Sequence, residues 1–138
     1  MLLAQQVEAL FTDDSSLAQA VEQFRPRSGQ TRMALAIAAT IEQGGALVVE
    51  AGTGVGKTYS YLVPALLSGT RVLLSTATKA LQDQLFGRDL PQLVAALGLP
   101  VRTALLKGRS SYLCLHRMEQ ARQALEPQDR LQARALAR

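Results

Sequence analysis

The sequence has very little cysteine. Cys114 stands alone among 138 residues, which excludes an internal disulfide and leaves no metal site that cysteine could build unaided. No apolar run approaches the roughly 18 residues that a membrane span requires, so no membrane partner is expected. The opening stretch MLLAQQVEALFTDD carries acids where a secretion signal would carry lysines, and a cytoplasmic location is expected. Internal repeats and low-complexity stretches are absent as well. What remains is a chain with 48% hydrophobic residues, enough for one core and about the size of one domain. Charge is uneven along it. Residues 1–24 hold Glu8, Asp13, Asp14 and Glu22 and no Lys or Arg, whereas residues 102–138 hold eight basic side chains against three acidic ones. The basic end reads either as a surface for a polyanion or as an ordinary solvated helix face.

Hydrophobic period divides the chain into alternating elements. SSLAQAVEQF reads as a short capped helix starting near Ser15 or Ser16, and QTRMALAIAATIEQGG as a helix ended by glycine. GALVVEA is a β-branched run bounded by glycines and predicts a buried strand, while TYSYLVPALLSG returns to helical length and ends at Gly69, with Pro64 expected to kink it. RVLLSTAT predicts a second strand, and TKALQDQLFGRDLPQLVAALG a helical region broken near Gly87 and Pro91. VRTALLKG predicts a third strand, followed by helices in SYLCLHRMEQARQAL and PQDRLQARALAR, the last with Pro127 in its first turn. Strands alternating with helices predict an α/β fold: a parallel sheet with helices on both faces.

Between the first strand and the helix beginning at Lys57 lies EAGTGVGKTYS. A glycine-rich turn at a helix N-terminus presents backbone N–H groups to phosphate oxygens. Residues Ala51, Gly52, Thr53, Gly54, Val55 and Gly56 form the candidate phosphate loop. The Lys57 ammonium is placed to reach β and γ phosphates, and the Thr58 hydroxyl to ligate Mg2+, so ATP with Mg2+ is the expected ligand and Lys57 and Thr58 are the candidate catalytic residues. A dinucleotide-binding turn would need its third glycine at position 57, which is lysine. Ala51 stands where the strict phosphate-loop pattern has its first glycine, a mild change because alanine is small. A ligand-free glycine turn is the remaining alternative.

About 45 residues precede this strand, more than a small P-loop kinase usually carries. FRPRSGQTRMALAI, VVEAGTGVGKTYSYLVPALL, VLLSTATKALQDQL and LLKGRSSYLCLHR, taken in order, resemble the iron-sulfur superfamily-two DNA helicases of the XPD/DinG-like family, and within it the bacterial YoaA-like branch. The resemblance covers about residues 17 to 120. It implies that the chain is an N-terminal fragment: a partial RecA-like P-loop NTPase domain, with residues 1–106 as the N-terminal part of the first motor domain and 107–138 as the truncated start of an iron-sulfur region.

The same resemblance implies roles for single residues. Gln30 matches the glutamine that reads the adenine edge, a task suited to an amide that both donates and accepts. Thr76, Thr78 and Lys79 match the motif that touches phosphates of single-stranded or forked DNA, although Thr78 also reads as a simple N-cap. Cys114 matches the first ligand of a 4Fe-4S cluster, which the full-length enzyme would complete with three further cysteines. Ser111 replaces an asparagine common at its place, and His116 reads as a surface or packing residue. The implied function is ATP-dependent DNA unwinding, in DNA repair. The Asp-Glu-Ala-His sequence that would hold Mg2+ and orient water is absent from these 138 residues, and the adjacent acids Asp13 and Asp14 read as a turn and helix start. A stand-alone nucleotide- or nucleic-acid-binding module and a small P-loop kinase are the alternatives in other functional classes.

Overall fold

A computed structural model describes residues 2–22, 24–52, 54 and 56–124. Thr53 and Val55 of the candidate phosphate loop, and the helix expected from Pro127, lie outside the described residues. The chain divides into two compact units, Met1–Thr103 and Ala104–Arg138.

The first unit is built from helices. α1 (Leu3–Leu10), which the sequence reading did not single out, buries Leu3 and Val7, four residues apart and therefore on one face. α2 (Ser16–Ala20) starts where expected, because the Ser15 side chain accepts a hydrogen bond from the Ala18 N–H at 3.1 Å. α3 (Ser28–Gln43) buries Gln30, Ala34 and Ala38 along one stripe and ends at Gly44. α4 (Lys57–Leu67) buries Ser60, Leu62, Val63 and Pro64. α3 and α4 pack on each other most extensively, α1 lies against both, and α2 lies against the later helix α6. The alanine stripe of α3 lets the two backbones come close, and Leu62 and Val63 fill the space without any solvent exposure. Phe24 closes one end, with its ring edge-on to Phe11 at 5.6 Å and to Tyr59 at 5.5 Å between centroids.

The helical break expected near Gly87 and Pro91 is not there. α5 (Lys79–Gln84) runs through one π turn, Leu85–Asp89, into α6 (Leu90–Leu97). The Leu90 N–H bonds back five residues to the Leu85 carbonyl, and Pro91, which has no N–H to give, follows directly after this wide turn. Buried Asp89 pins the wide turn by accepting from Gln84 Nε2 at 2.9 Å and from Arg88 Nε at 2.8 Å.

The larger difference concerns the sheet. Residues 46–50, 71–78 and 101–108 were expected as strands, yet no strand is present among the described residues. Val48 is 97% exposed, Leu73 90% and Leu106 81%. A helix satisfies its backbone within its own segment, whereas a strand needs a neighbour in register, and β-propensity expresses only how well a residue suits that shared surface. These segments have the composition of buried strands without the pairing that would bury them.

In the second unit a 3-10 turn, Arg109–Ser111, precedes α7 (Leu115–Ala124), which buries no side chain. The Lys107 N–H donates to the Tyr112 hydroxyl at 2.8 Å across this turn.

Candidate nucleotide site

The glycine-rich loop enters α4 through Gly56, which serves as its N-cap at φ +83°. A side chain there would be strained, and its Cβ would meet Gln30 Nε2 at 2.4 Å. α4 therefore starts without a side-chain cap and without an acid in its first turn. Such an N-terminus leaves N–H groups and the positive end of the helix dipole open to an anion.

Side-chain donors converge on the carbonyls of this loop. Lys57 Nζ donates to the Ala51 oxygen at 2.8 Å and to the Gly52 oxygen at 2.7 Å. Gln30 Nε2 donates to the Gly56 oxygen at 3.1 Å, and Arg27 Nη1 to the Gly54 oxygen. The Ser60 hydroxyl, one turn into α4, ties the Gln30 carbonyl at 3.1 Å to the same helix start. Gln30 is buried, and its Oε1 has no hydrogen-bond partner among the described residues. A buried acceptor left in that condition costs about 1–3 kcal/mol.

Beside the loop is a pocket of about 140 Å³, walled by Phe24, Arg25, Arg27, Gln30 and Tyr59 and floored by Gly54 and Gly56. Its lining offers two aromatic rings, two guanidinium groups and an amide. Burial raises the Tyr59 phenol above its ordinary range, the charge of Asp89 raises it further, and Arg88 works the other way. Tyr61 is raised chiefly by burial, against a hydrogen bond from Thr58, with a smaller raising effect from Asp89. Thr58 itself is half-buried in the first turn of α4, next to Lys57.

The structure thus brings Gln30, Ala51, Gly52, Gly54, Gly56, Lys57 and Thr58 into one region. The remaining candidates stand in other settings. Thr78 caps α5 by accepting from the Leu81 N–H at 3.2 Å, Thr76 donates to the Thr78 carbonyl at 3.3 Å, and Lys79 is exposed at the head of α5. Cys114 is a free, exposed thiol just before α7 in the second unit. No group of three or more His, Cys, Asp or Glu side chains among the described residues is placed to hold a metal ion, and one thiolate cannot hold a four-iron cluster. Arg27, Tyr59 and Ser60 were not picked out from the sequence. Arg27 lay in the quoted stretch FRPRSGQ, but nothing in its spacing tells a loop contact from a surface charge.

A family model described as DEAD/DEAH box helicase matches residues 30–132, most of the chain. The chain belongs to the DEAD/DEAH box helicase family. The match begins at Gln30, the buried amide on the loop, and the family implies a RecA-like fold. Relatives of this helicase-family chain include the ATP-dependent DNA helicase YoaA of Escherichia coli, 56% identical over 110 residues, which are 80% of this chain and 17% of the relative. YoaA of Haemophilus influenzae is 49% identical over 115 residues, 83% of this chain and 18% of the relative. The ATP-dependent helicase DinG of Mycobacterium tuberculosis is 50% identical over 111 residues, 75% of this chain and 17% of the relative. The chain thus spans less than a fifth of the length of these relatives, and its similarity is to DinG/YoaA-like helicases. No solved structure matches it. No helix among the described residues is long and apolar enough to cross a membrane.

Proposed function

We propose that this chain carries the ATP-binding elements of a cytoplasmic, ATP-dependent DNA helicase that acts on single-stranded or forked DNA in DNA repair. The observation that supports this most is the set of donors gathered at an uncapped helix N-terminus: Lys57, Gln30 and Arg27 all donate to loop carbonyls, and Gln30 keeps an acceptor to spare. Lys57 would exchange two neutral carbonyls for charged β- and γ-phosphate oxygens, the stronger acceptors for an ammonium. Loop N–H groups from Ala51 to Gly56, Thr53 and Val55 included, would hold the phosphates, and the unpartnered Gln30 Oε1 suits an exocyclic amino group on the adenine edge.

Thr58 is the residue here that would ligate Mg2+, an ion that neutralises charge developing between the phosphates. In this reading residues 46–50, 71–78 and 101–108 are strands of the parallel sheet of a RecA-like domain, and their exposed apolar side chains are the surface that pairing and covering helices would bury. Residues 1–106 then belong to the first motor domain and 107–138 to the start of an iron-sulfur region, in which Cys114 would supply one of four thiolates. Thr76, Thr78 and Lys79 would meet DNA phosphates at the head of α5. Thr78 already accepts from the Leu81 N–H as the cap of α5, so its contact to DNA would be made by the hydroxyl and backbone beside that cap.

Calorimetric titration of the purified chain with Mg-ATP tests the proposal. Binding is expected, with Lys57→Ala weakening it at least tenfold while circular dichroism stays unchanged. Equal affinity in the variant would overturn the role of Lys57. Hydrolysis by the chain alone is expected at background rate, since its 138 residues include no Asp-Glu-Ala-His sequence, and a stabilising arginine finger by itself is worth about 10³–10⁵ in rate. Robust turnover stimulated by single-stranded DNA would contradict that expectation.

A further inference from the structure

Tyr59 has no part in the scheme above, yet it follows Lys57 and Thr58 directly on α4 and forms a wall of the pocket beside the loop. Its ring is fixed from two sides. Phe24, which is buried, meets it edge-on at 5.5 Å, and its hydroxyl lies 3.5 Å from Gln92 Oε1 on α6. A half-buried aromatic ring braced by two separate elements loses little further freedom when a ligand lies against it. The other polar groups of the pocket complement a flat heterocycle joined to an anion. Arg25 and Arg27 bring positive charge, and the Gln30 amide brings an unpartnered acceptor buried from solvent. Rings with π-faces stack on aromatic side chains, which an inorganic phosphate chain cannot do.

We propose that Tyr59 is a nucleoside-contacting residue: its ring forms the wall on which the purine base of the bound nucleotide rests, while the loop and Lys57 hold the phosphates. The inference builds on the ATP-binding reading and adds to it a residue that separates base recognition from phosphate recognition. Gln92 and Phe24 are then positioning residues that set the ring.

The test compares two ligands on the purified full chain by calorimetry. Mg-ATP reports both halves of the site, and inorganic tripolyphosphate with Mg2+ reports the phosphate half alone. Tyr59→Leu keeps an apolar side chain against Phe24 and removes the π-face. It is expected to weaken Mg-ATP about tenfold and to leave tripolyphosphate within twofold of wild type. Tyr59→Phe keeps the ring, loses only the contact to Gln92, and is expected to restore Mg-ATP to within about threefold. Parallel losses for both ligands in Tyr59→Leu would overturn the proposal, since they would mean a purely structural role for the ring. So would unchanged Mg-ATP affinity in Tyr59→Leu, or a loss in Tyr59→Phe as large as in Tyr59→Leu. The ATP-binding reading fails separately: a wild-type chain that binds neither ligand, or binding indifferent to Lys57→Ala, overturns that reading and this inference with it.

Discussion

Helices α4 and α7 are nearly equal in length, 11 and 10 residues, and differ in everything that packing provides. α4 buries Ser60, Leu62, Val63 and Pro64 against α1 and α3, and its first turn carries the candidate phosphate-binding lysine. α7 buries nothing, and Leu115 at its start is 70% exposed. The difference shows where this chain supplies its own stabilisation. Around Gly56 and Lys57, tertiary burial and side-chain donors hold the start of α4 and the described residues of the glycine-rich loop. Around Cys114, the described contacts include the hydrogen bond from the Lys107 N–H to Tyr112, an interaction worth about 1 kcal/mol net.

Leu62→Ala against Leu115→Ala should give the largest contrast. Leu62 is fully buried, so truncation removes transfer energy and leaves a cavity, and about 2–5 kcal/mol of stability should be lost in urea denaturation. Leu115→Ala should fall within about 0.5 kcal/mol of wild type. A comparable loss from both would mean that α7 packs on something the described contacts do not include.

A finer test lies inside the loop region. Gly56 and Gly69 both have positive φ, +83° and +65°, but a Cβ at Gly69 would meet nothing within 4 Å, whereas at Gly56 it would meet the buried Gln30 amide. Both alanine variants pay the left-handed strain of about 1–2 kcal/mol. Gly56→Ala should cost more than Gly69→Ala, and the excess should shrink when Gln30→Ala is introduced with it. If the double variant showed the same excess, the pair would not be in contact, and the coupling of Gln30 to the loop would fail.

How much of this was legible beforehand depends on where each element finds its hydrogen bonds. The start of α2 at Ser15, the end of α3 at Gly44 and the start of α4 at Lys57 were readable because caps, glycines and helical period are local signals. The glycine-rich turn that enters α4 was readable for the same reason. The parallel sheet was read from composition and alternation, and the described residues do not confirm it, since Val48 and Leu73 declare a preference for a surface that other strands must provide. The π turn was hidden because Gly87 and Pro91 read as breakers, while the group that holds the turn together, Asp89 with Gln84 and Arg88, has no distinguishing pattern in sequence. Tyr59 and Arg27 escaped notice because they reach the site from positions that also suit an ordinary helix face and an ordinary surface charge.

The smallest expected effect separates the α4 region from the rest by pH. The phenols of Tyr59 and Tyr61 both lie above their ordinary value of 10.0 in the folded chain, chiefly through burial, so the folded state holds these protons more tightly than the unfolded state does. A raised pKa means that the associated stability is complete below pH 10 and is lost as pH rises through the folded values. Urea midpoints should therefore be flat with respect to these groups up to about pH 9 and decline above 10, before arginine deprotonation intervenes. Replacing both tyrosines by phenylalanine should flatten that alkaline decline. A decline unchanged by the double replacement would place the alkaline sensitivity outside α4, and the contrast between the two helices would then rest on packing alone.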